Sequence, residues 1–542
     1  MKKFIAILLF NVLLTAVADA KEEIAWDNTA KRSWLPEFEQ VEIKSSVDGA
    51  QQKAYIYKSK SREPMPLIVS LHTWSGYYNQ TDPLTKEILA RDWNYIHPDF
   101  RGANRRPEAM GSPLALADIE DAIRYALENM NVDKDEVHVI GVSGGGFATL
   151  AAFMNLNYPV KSFSAWASIS DIEDWYWECT GRGSHYAKDI LAAVDDGNHK
   201  FNTSTARQRS PLRQKFPIDK RKKAQLYIYA GIHDGYKGSV PISHSLKMYN
   251  RLVGELKYGT ANMAAIMQKA LSDPDLVSPS EMLDLLGRRM HPAAKSNSKI
   301  FDREVHLKRG YKNIHLTVFE GVHEQLPQAL GLLPYKPKES DSGCRILAIG
   351  DSNGHKKGGW VDQLKFLMPA AKIVNQSESG RTIGFDNKGK SELNALKNID
   401  RYLDNALTEN RTYDYVIVCL GTNDAKKMFE SRQEEVPGNL KALLSKIKSH
   451  KLVRKGKTGL IFVTPPPLRQ TDVSPKYDGS GTRLAELIPK LKAVAAEGGF
   501  DVIDIHGPLS GVLDYYAKDG VHMSPQGQQI VASKILLHLI SK

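Results

Sequence analysis

The chain has 542 residues, 42% apolar and 25% charged, with a net charge of +11. That length exceeds a single hydrophobic core and predicts two to four domains of ordinary globular composition. The positive balance is spread along the chain and densest at Lys220–Lys223 and Lys446–Lys457. No nucleic-acid module accompanies it, so it reads as solvated surface or as attraction to an acidic polysaccharide or cell surface.

The start pairs Met1-Lys2-Lys3 with the apolar run Phe4 to Leu14 and closes on Ala18-Asp19-Ala20, a small-x-small cleavage pattern. Residues 1–20 are expected to be a signal peptide, making the protein secreted or periplasmic after cleavage near Ala20. No cysteine lies near that cut to carry a lipid anchor, and no later apolar run is long enough to span a bilayer. Cys179, Cys344 and Cys419 cannot all pair, and no Cys/His metal spacing occurs. Neither a metal nor an organic cofactor is expected.

Residues 21–335 are expected to form the first domain. Gln40–Lys44 and Lys53–Tyr57 alternate like paired antiparallel strands. Pro66–Leu71 reads as a buried strand ending in His72-Thr73-Trp74-Ser75-Gly76. Strand Tyr95–Asp99, helix Ala115–Asn129, strand Val137–Ile140 and helix Gly146–Asn155 follow, the rhythm of a doubly wound parallel sheet. Strand Val137–Ile140 runs into Gly141-Val142-Ser143-Gly144-Gly145-Gly146, and an apolar helix comes next. A sharp strand-to-helix turn of this kind exposes a strained serine and tolerates no neighbouring side chains, so Ser143 is a candidate nucleophile.

A serine needs a base, and the base needs an orienting carboxylate. With this turn the chain order is serine, acid, histidine. Strand Leu226–Ala230 delivers Gly231-Ile232-His233-Asp234-Gly235, and strand His315–Phe319 delivers Glu320-Gly321-Val322-His323. Asp234 and His323 are the expected acid and base, with Asp171, Asp174 and His233 as competitors. The oxyanion donors are expected at the backbone N–H of Gly144 and at Thr73 or Trp74, with Trp74 taken. Two segments could cover the site: Asp171–His185, with Trp175, Tyr176, Trp177 and Arg182, and a largely helical insertion over Glu255–Leu307 that includes Arg288-Arg289. Aromatic residues there either stack on sugar rings or pack as core.

This half resembles the α/β-hydrolase superfamily, within its prolyl oligopeptidase-like and acetyl-xylan-esterase-like branch. The resemblance rests on Gly-Val-Ser-Gly-Gly-Gly, Pro98-Asp99-Phe100-Arg101-Gly102 and the Asp234 and His323 loops. The peptidases' upstream propeller repeat is lacking, which favours a small-acyl or carbohydrate ester over a peptide.

Residues 336–343 read as a Pro-, Ser- and charge-rich linker, and 344–542 restart the strand–helix alternation as a second domain. Its expected strands are Arg345–Ile349, Lys372–Asn375, Tyr415–Leu420, Gly459–Val463 and Asp501–Asp504. Polar loops follow at their carboxyl ends: Gly350-Asp351-Ser352, Ser379-Gly380-Arg381-Thr382, Gly421-Thr422-Asn423-Asp424, Pro465-Pro466-Pro467 and Asp519-Gly520-Val521-His522. Ser352 as nucleophile, His522 as base and Asp519 as its orienting acid suit acyl transfer. The N–H of Ser352, the N–H of Gly380 and the amide of Asn423 suit an oxyanion hole.

Ser352, Gly380, Asn423 and His522 are similar to the defining set of the SGNH (GDSL-type) hydrolases, in the arylesterase and acetyl-xylan-esterase branch. Asn353 departs from the usual Leu after Gly-Asp-Ser. The resemblance implies a flavodoxin-like α/β/α sandwich. Together the two halves predict an α/β protein of two doubly wound domains, a secreted bifunctional carbohydrate esterase. Its expected substrate is an acylated plant or algal polysaccharide or oligosaccharide, with acetyl as the expected acyl group. The rivals are a peptidase in the first domain, or a first domain that only binds.

Overall fold

The structure, a computed structural model, describes residues 33–195, 197–288, 298–335, 337 and 343–541. The expected leader over 1–20, most of the linker at 336–343, and Arg289 lie outside them. Among the described residues no helix is long and apolar enough to cross a membrane.

The first domain is built on ten strands: β1 (Glu39–Lys44), β2 (Gln51–Tyr57), β3 (Met65–Leu71), β4 (Asn94–Pro98), β5 (Val132–Val142), β6 (Ser162–Trp166), β7 (Gln225–Gly231), β8 (Lys299–Ile300), β9 (Arg303–Tyr311) and β10 (Ile314–Phe319). Their order is β1-β2-β4-β3-β5-β6-β7-β10-β9-β8. From β4 across to β10 neighbouring strands are parallel, and antiparallel strands flank both edges. β3 is buried at every residue, as a parallel strand covered on both faces must be.

One element adds to the sequence reading and one differs from it. β6, the strand that precedes Asp171, carries two serines yet is buried throughout. Opposite Ser162 stands His138, and its Nδ1 lies 2.7 Å from Ser162 Oγ, so two buried polar side chains satisfy each other. The segment Glu255–Leu307 is helical only in part. Helices Ser243–Tyr258, Met263–Lys269 and Pro279–Arg288 give way to β8 and β9. The reason is the period-two alternation at the start of β9, where Val305 and Leu307 face inward and Lys308 faces solvent.

The second domain carries β11 (Arg345–Gly350), β12 (Lys372–Asn375), β13 (Tyr415–Cys419), β14 (Gly459–Val463) and β15 (Asp501–Ile503). They lie in the order β12-β11-β13-β14-β15, all parallel, which is the flavodoxin-like doubly wound order. Trp360, Leu364 and Ile535 fill the core on one face, and Ile399, Leu440 and Leu491 on the other. Because every strand points the same way, all five carboxyl-end loops meet at one edge.

Candidate active sites

In the second domain Ser352 opens a short helix straight after β11. Its Oγ lies 3.0 Å from His522 Nε2. The other ring nitrogen, His522 Nδ1, lies 2.6 Å from Asp519 Oδ2. Asp519 Oδ1 accepts from the backbone N–H groups of His522 at 2.7 Å and Val521 at 3.0 Å. Burial alone would raise the Asp519 carboxyl, but these hydrogen bonds outweigh it and hold the group below the usual carboxylate range. A carboxylate on Nδ1–H leaves the Nε2 lone pair for the serine proton.

The expected oxyanion donors lie in the loops after β12 and β13, the two strands that flank β11. Gly380 has φ +85°, a conformation that favours glycine, and its carbonyl accepts from Asn387 Nδ2 at 2.6 Å. Asn423 is 1% exposed; its Nδ2 donates to Arg381 O at 3.0 Å, and its Oδ1 accepts from Tyr477 OH at 3.2 Å. A primary amide carries two hydrogens, so Asn423 can donate a second bond.

Several supporting residues escaped the sequence reading. Asp424 accepts from Ile383 N at 2.9 Å and so ties the Gly380 loop to the Asn423 loop; burial pushes its carboxyl up to about 7. Arg469 sits on the loop of His522, with its N–H on Gly520 O at 2.9 Å and its guanidinium on Asp514 at 2.7 Å. The Asn353 departure is a packing choice. The side chain is buried, and its Oδ1 accepts from Gln528 Nε2 at 2.7 Å, locking the nucleophile turn to helix Pro525–Ile540. Only partners distant in sequence give these residues their roles.

In the first domain Ser143 has φ 58° and ψ −120°, strained for a residue with a side chain. The glycines around it are forced. A Cβ on Gly145 would lie 2.1 Å from Leu71 O, one on Gly146 2.5 Å from Trp166 O, and one on Gly141 2.4 Å from Gly145 O. A Cβ on Gly144 would lie 2.3 Å from the backbone N of Trp74, so the turn and the loop after β3 approach closely there. The Thr73 N–H donates to Gln80 Oε1 at 2.8 Å.

Asp234 and His323, at the carboxyl ends of β7 and β10, meet with Oδ2 2.8 Å from Nδ1. Asp234 Oδ1 accepts from Gly235 N at 2.9 Å and Val240 N at 3.1 Å. The competitors are engaged elsewhere. Asp171 caps helix Ile172–Gly181 and pairs with Arg213 at 2.6 Å, and Asp174 pairs with Lys247 at 2.7 Å. His233 Nε2 and His306 Nε2 lie 2.6 Å and 2.9 Å from the carboxylate of Glu320. That clasp joins the Asp234 loop to the His323 loop. Of the covering aromatics, Trp175 is core, 4.7 Å from Trp74 with its indole N–H on Ser239 O, and Tyr176 stacks on Phe201. Trp177 is 58% exposed. The Pro98–Gly102 block is structural, since Arg101 pairs with Asp118 at 2.5 Å and Asp48 at 2.7 Å.

Residues 344–530 match the model of the GDSL-like Lipase/Acylhydrolase family, and residues 87–270 match that of the prolyl oligopeptidase family. The chain joins a domain of each family. Human isoamyl acetate-hydrolyzing esterase 1 homolog is 26% identical over 209 residues, 35% of this chain and 79% of that protein. A carbohydrate acetylesterase from Sinorhizobium meliloti is similar in structure at 20% identity and a TM-score of 0.31, covering 36% of this chain and 98% of that one. A puromycin-hydrolyzing peptidase from Mycobacterium tuberculosis gives 16% identity and a TM-score of 0.32, covering 43% of this chain and 37% of that one. The GDSL-like domain makes the chain a carboxylic ester hydrolase.

Proposed function

We propose that this is an exported bifunctional carbohydrate esterase. A leader over 1–20 is followed by a hydrolase domain over 21–335, a linker over 336–343 and the GDSL-like domain over 344–542. In the second site Ser352 Oγ attacks the ester carbonyl while His522 Nε2 takes its proton. The N–H groups of Ser352 and Gly380 and the Asn423 amide stabilise the tetrahedral oxyanion. Collapse expels the sugar hydroxyl, which takes the proton back from His522, and water then releases the acyl group by the same route. In the first site Ser143, His323 and Asp234 play the same parts, with Gly144 and Trp74 as the oxyanion donors. The substrate is an acylated polysaccharide or oligosaccharide, and acetyl is the acyl group. The observation that supports this reading best is the relay of 3.0 Å from Ser352 to His522 and 2.6 Å from His522 to Asp519.

Acetate release from acetylated xylan, mannan and pectin by the full chain, Ser352→Ala, Ser143→Ala and the double variant tests it. Each single variant is expected to lose part of the release and the double variant all of it. A double variant that works at the wild-type rate overturns the reading. A peptidase in the first domain is the second reading, supported by the prolyl oligopeptidase match over 87–270. Cleavage of prolyl naphthylamides that is lost in Ser143→Ala would favour it.

A further inference from the structure

Lysines from three separate loops stand beside the oxyanion donors of the Ser352 site. Lys426 lies just beyond Asn423 and is 5% exposed, with its ammonium 5.4 Å from the centre of the Tyr477 ring. Lys476, exposed on the neighbouring turn, holds its ammonium 5.3 Å from the same ring. Tyr477 OH is hydrogen-bonded to Asn423, so one aromatic ring links both cations to an oxyanion residue. Lys388 is exposed and follows Asn387, whose amide holds the Gly380 carbonyl.

Among the described residues no carboxylate oxygen lies within 4.0 Å of any of these ammonium groups. Their neighbour Lys427 shows the ordinary alternative, pairing with Asp478 at 2.5 Å. Burial lowers Lys426 to about 8; the like charges of Lys476 and Lys388 add to this, and Asp351 and Asp424 oppose it. A buried cation without a counter-ion, faced by two more cations, is costly. An incoming anion offsets that cost.

We propose that Lys426, Lys476 and Lys388 form an anion subsite of the Ser352 centre, so that its preferred ester sits on a carrier bearing a carboxylate or sulfate group, as acidic sugars do. The inference rests on the reading of Ser352 as an esterase nucleophile. It gives the positive charge of the chain a specific use, at lysines outside the two densest basic runs.

The test uses the full chain and the Ser352-dependent part of the rate, obtained by subtracting the rate of Ser352→Ala. The substrates are 4-acetoxybenzoate, 4-acetoxybenzenesulfonate and the neutral 4-acetoxybenzamide. Comparing the anionic-to-neutral ratio of kcat/KM between variants cancels their intrinsic reactivities. Lys426→Gln is expected to lower that ratio by about tenfold, the size of one charge-assisted contact. Lys476→Gln, at an exposed position that folding does not need, is expected to lower it severalfold, and Lys426→Arg to keep it. A fall confined to the benzoate names a carboxylate carrier, and one confined to the sulfonate names a sulfated carrier. A ratio unchanged in both Gln variants, with a Ser352-dependent rate present, overturns the subsite alone. No Ser352-dependent rate on any of the esters overturns the esterase reading and the subsite with it.

Discussion

Replacing Asp519 by Asn tests the second site at the point where its geometry is most demanding. Asp519 Oδ1 accepts two backbone N–H groups, His522 N at 2.7 Å and Val521 N at 3.0 Å. In Asp519→Asn the amide oxygen must stay on that side, because NH2 cannot face two donors. The NH2 therefore points at His522 Nδ1, the partner of Asp519 Oδ2 at 2.6 Å. Nδ1 then has to be a bare acceptor, which moves the imidazole proton to Nε2, the nitrogen 3.0 Å from Ser352 Oγ. The ring can no longer receive the serine proton. The same exchange in a serine-protease triad costs about ten-thousandfold in turnover. Here the Asp519 side chain is 56% exposed, so water can relay part of the proton traffic, and the expected loss is about a thousandfold to ten-thousandfold. Stability should fall by only about 1–3 kcal/mol, the worth of a hydrogen bond to a charged group. The assay is p-nitrophenyl acetate turnover in a Ser143→Ala background, with a urea midpoint measured alongside. Because the folded carboxyl lies below its ordinary range, Asp519 keeps its charge at neutral pH and loses it only as pH falls through the lowered value. A folded variant that retains more than about a tenth of the turnover would refute the tautomer argument.

At the first site, Gly144→Ala places a Cβ 2.3 Å from Trp74 N, which must push the turn of Ser143 away from the Trp74 backbone. The expected loss is about a hundredfold to a thousandfold in Ser143-dependent turnover, as for a lost oxyanion donor, and unchanged kcat in a folded Gly144→Ala protein would count against the assignment of Trp74. In the second domain, the Asp424 carboxyl is raised by burial from 3.8 to about 7, so the folded state holds a proton that the unfolded state releases first. Stability should therefore fall as pH rises between those values and level off above them, and Asp424→Asn should flatten the curve; urea midpoints from about pH 4 to about pH 8 check this.

The parallel strands were legible because their chemistry is local. Runs such as Arg345–Gly350 and Tyr415–Cys419 are buried on both faces and need no partner to be recognised. The loops at their ends were legible for the same reason, since a strand that stops at Gly-Asp-Ser or Gly-Val-Ser fixes where its serine stands. What stayed hidden depends on distant partners. How β6 can bury two serines is explained for one of them only once His138 is placed opposite Ser162. Asp424 looks like one more loop acid until the N–H of Ile383, 41 residues earlier, is placed on it. Nor does any pattern in the chain announce that Glu320 clasps His233 and His306.

The contact between the domains bears on why both share one chain. Helix Thr85–Arg91 of the first domain ends on Arg91, which pairs with the fully buried Glu87 at 2.7 Å and donates to Tyr516 OH at 3.1 Å. Gln328 Nε2 donates to Tyr515 O at 3.3 Å, and Ala90 packs within the core of the second domain. Tyr516 also closes the loop that carries Asp519 and His522, because its carbonyl accepts from Ser524 N at 2.7 Å. The first domain therefore buttresses the acid–base loop of the second. Arg91→Met should leave the Glu87 carboxylate buried without its cation, at a cost of about 3–5 kcal/mol. Glu87→Gln combined with Arg91→Met should recover much of that stability without restoring the contact to Tyr516. If the buttress matters, the double variant still turns over Ser352 substrates more slowly by about twofold or more, the scale of coupling through one packed contact. Ser352-dependent kcat equal to wild type in a fully folded double variant would show that the two sites share a chain without sharing support.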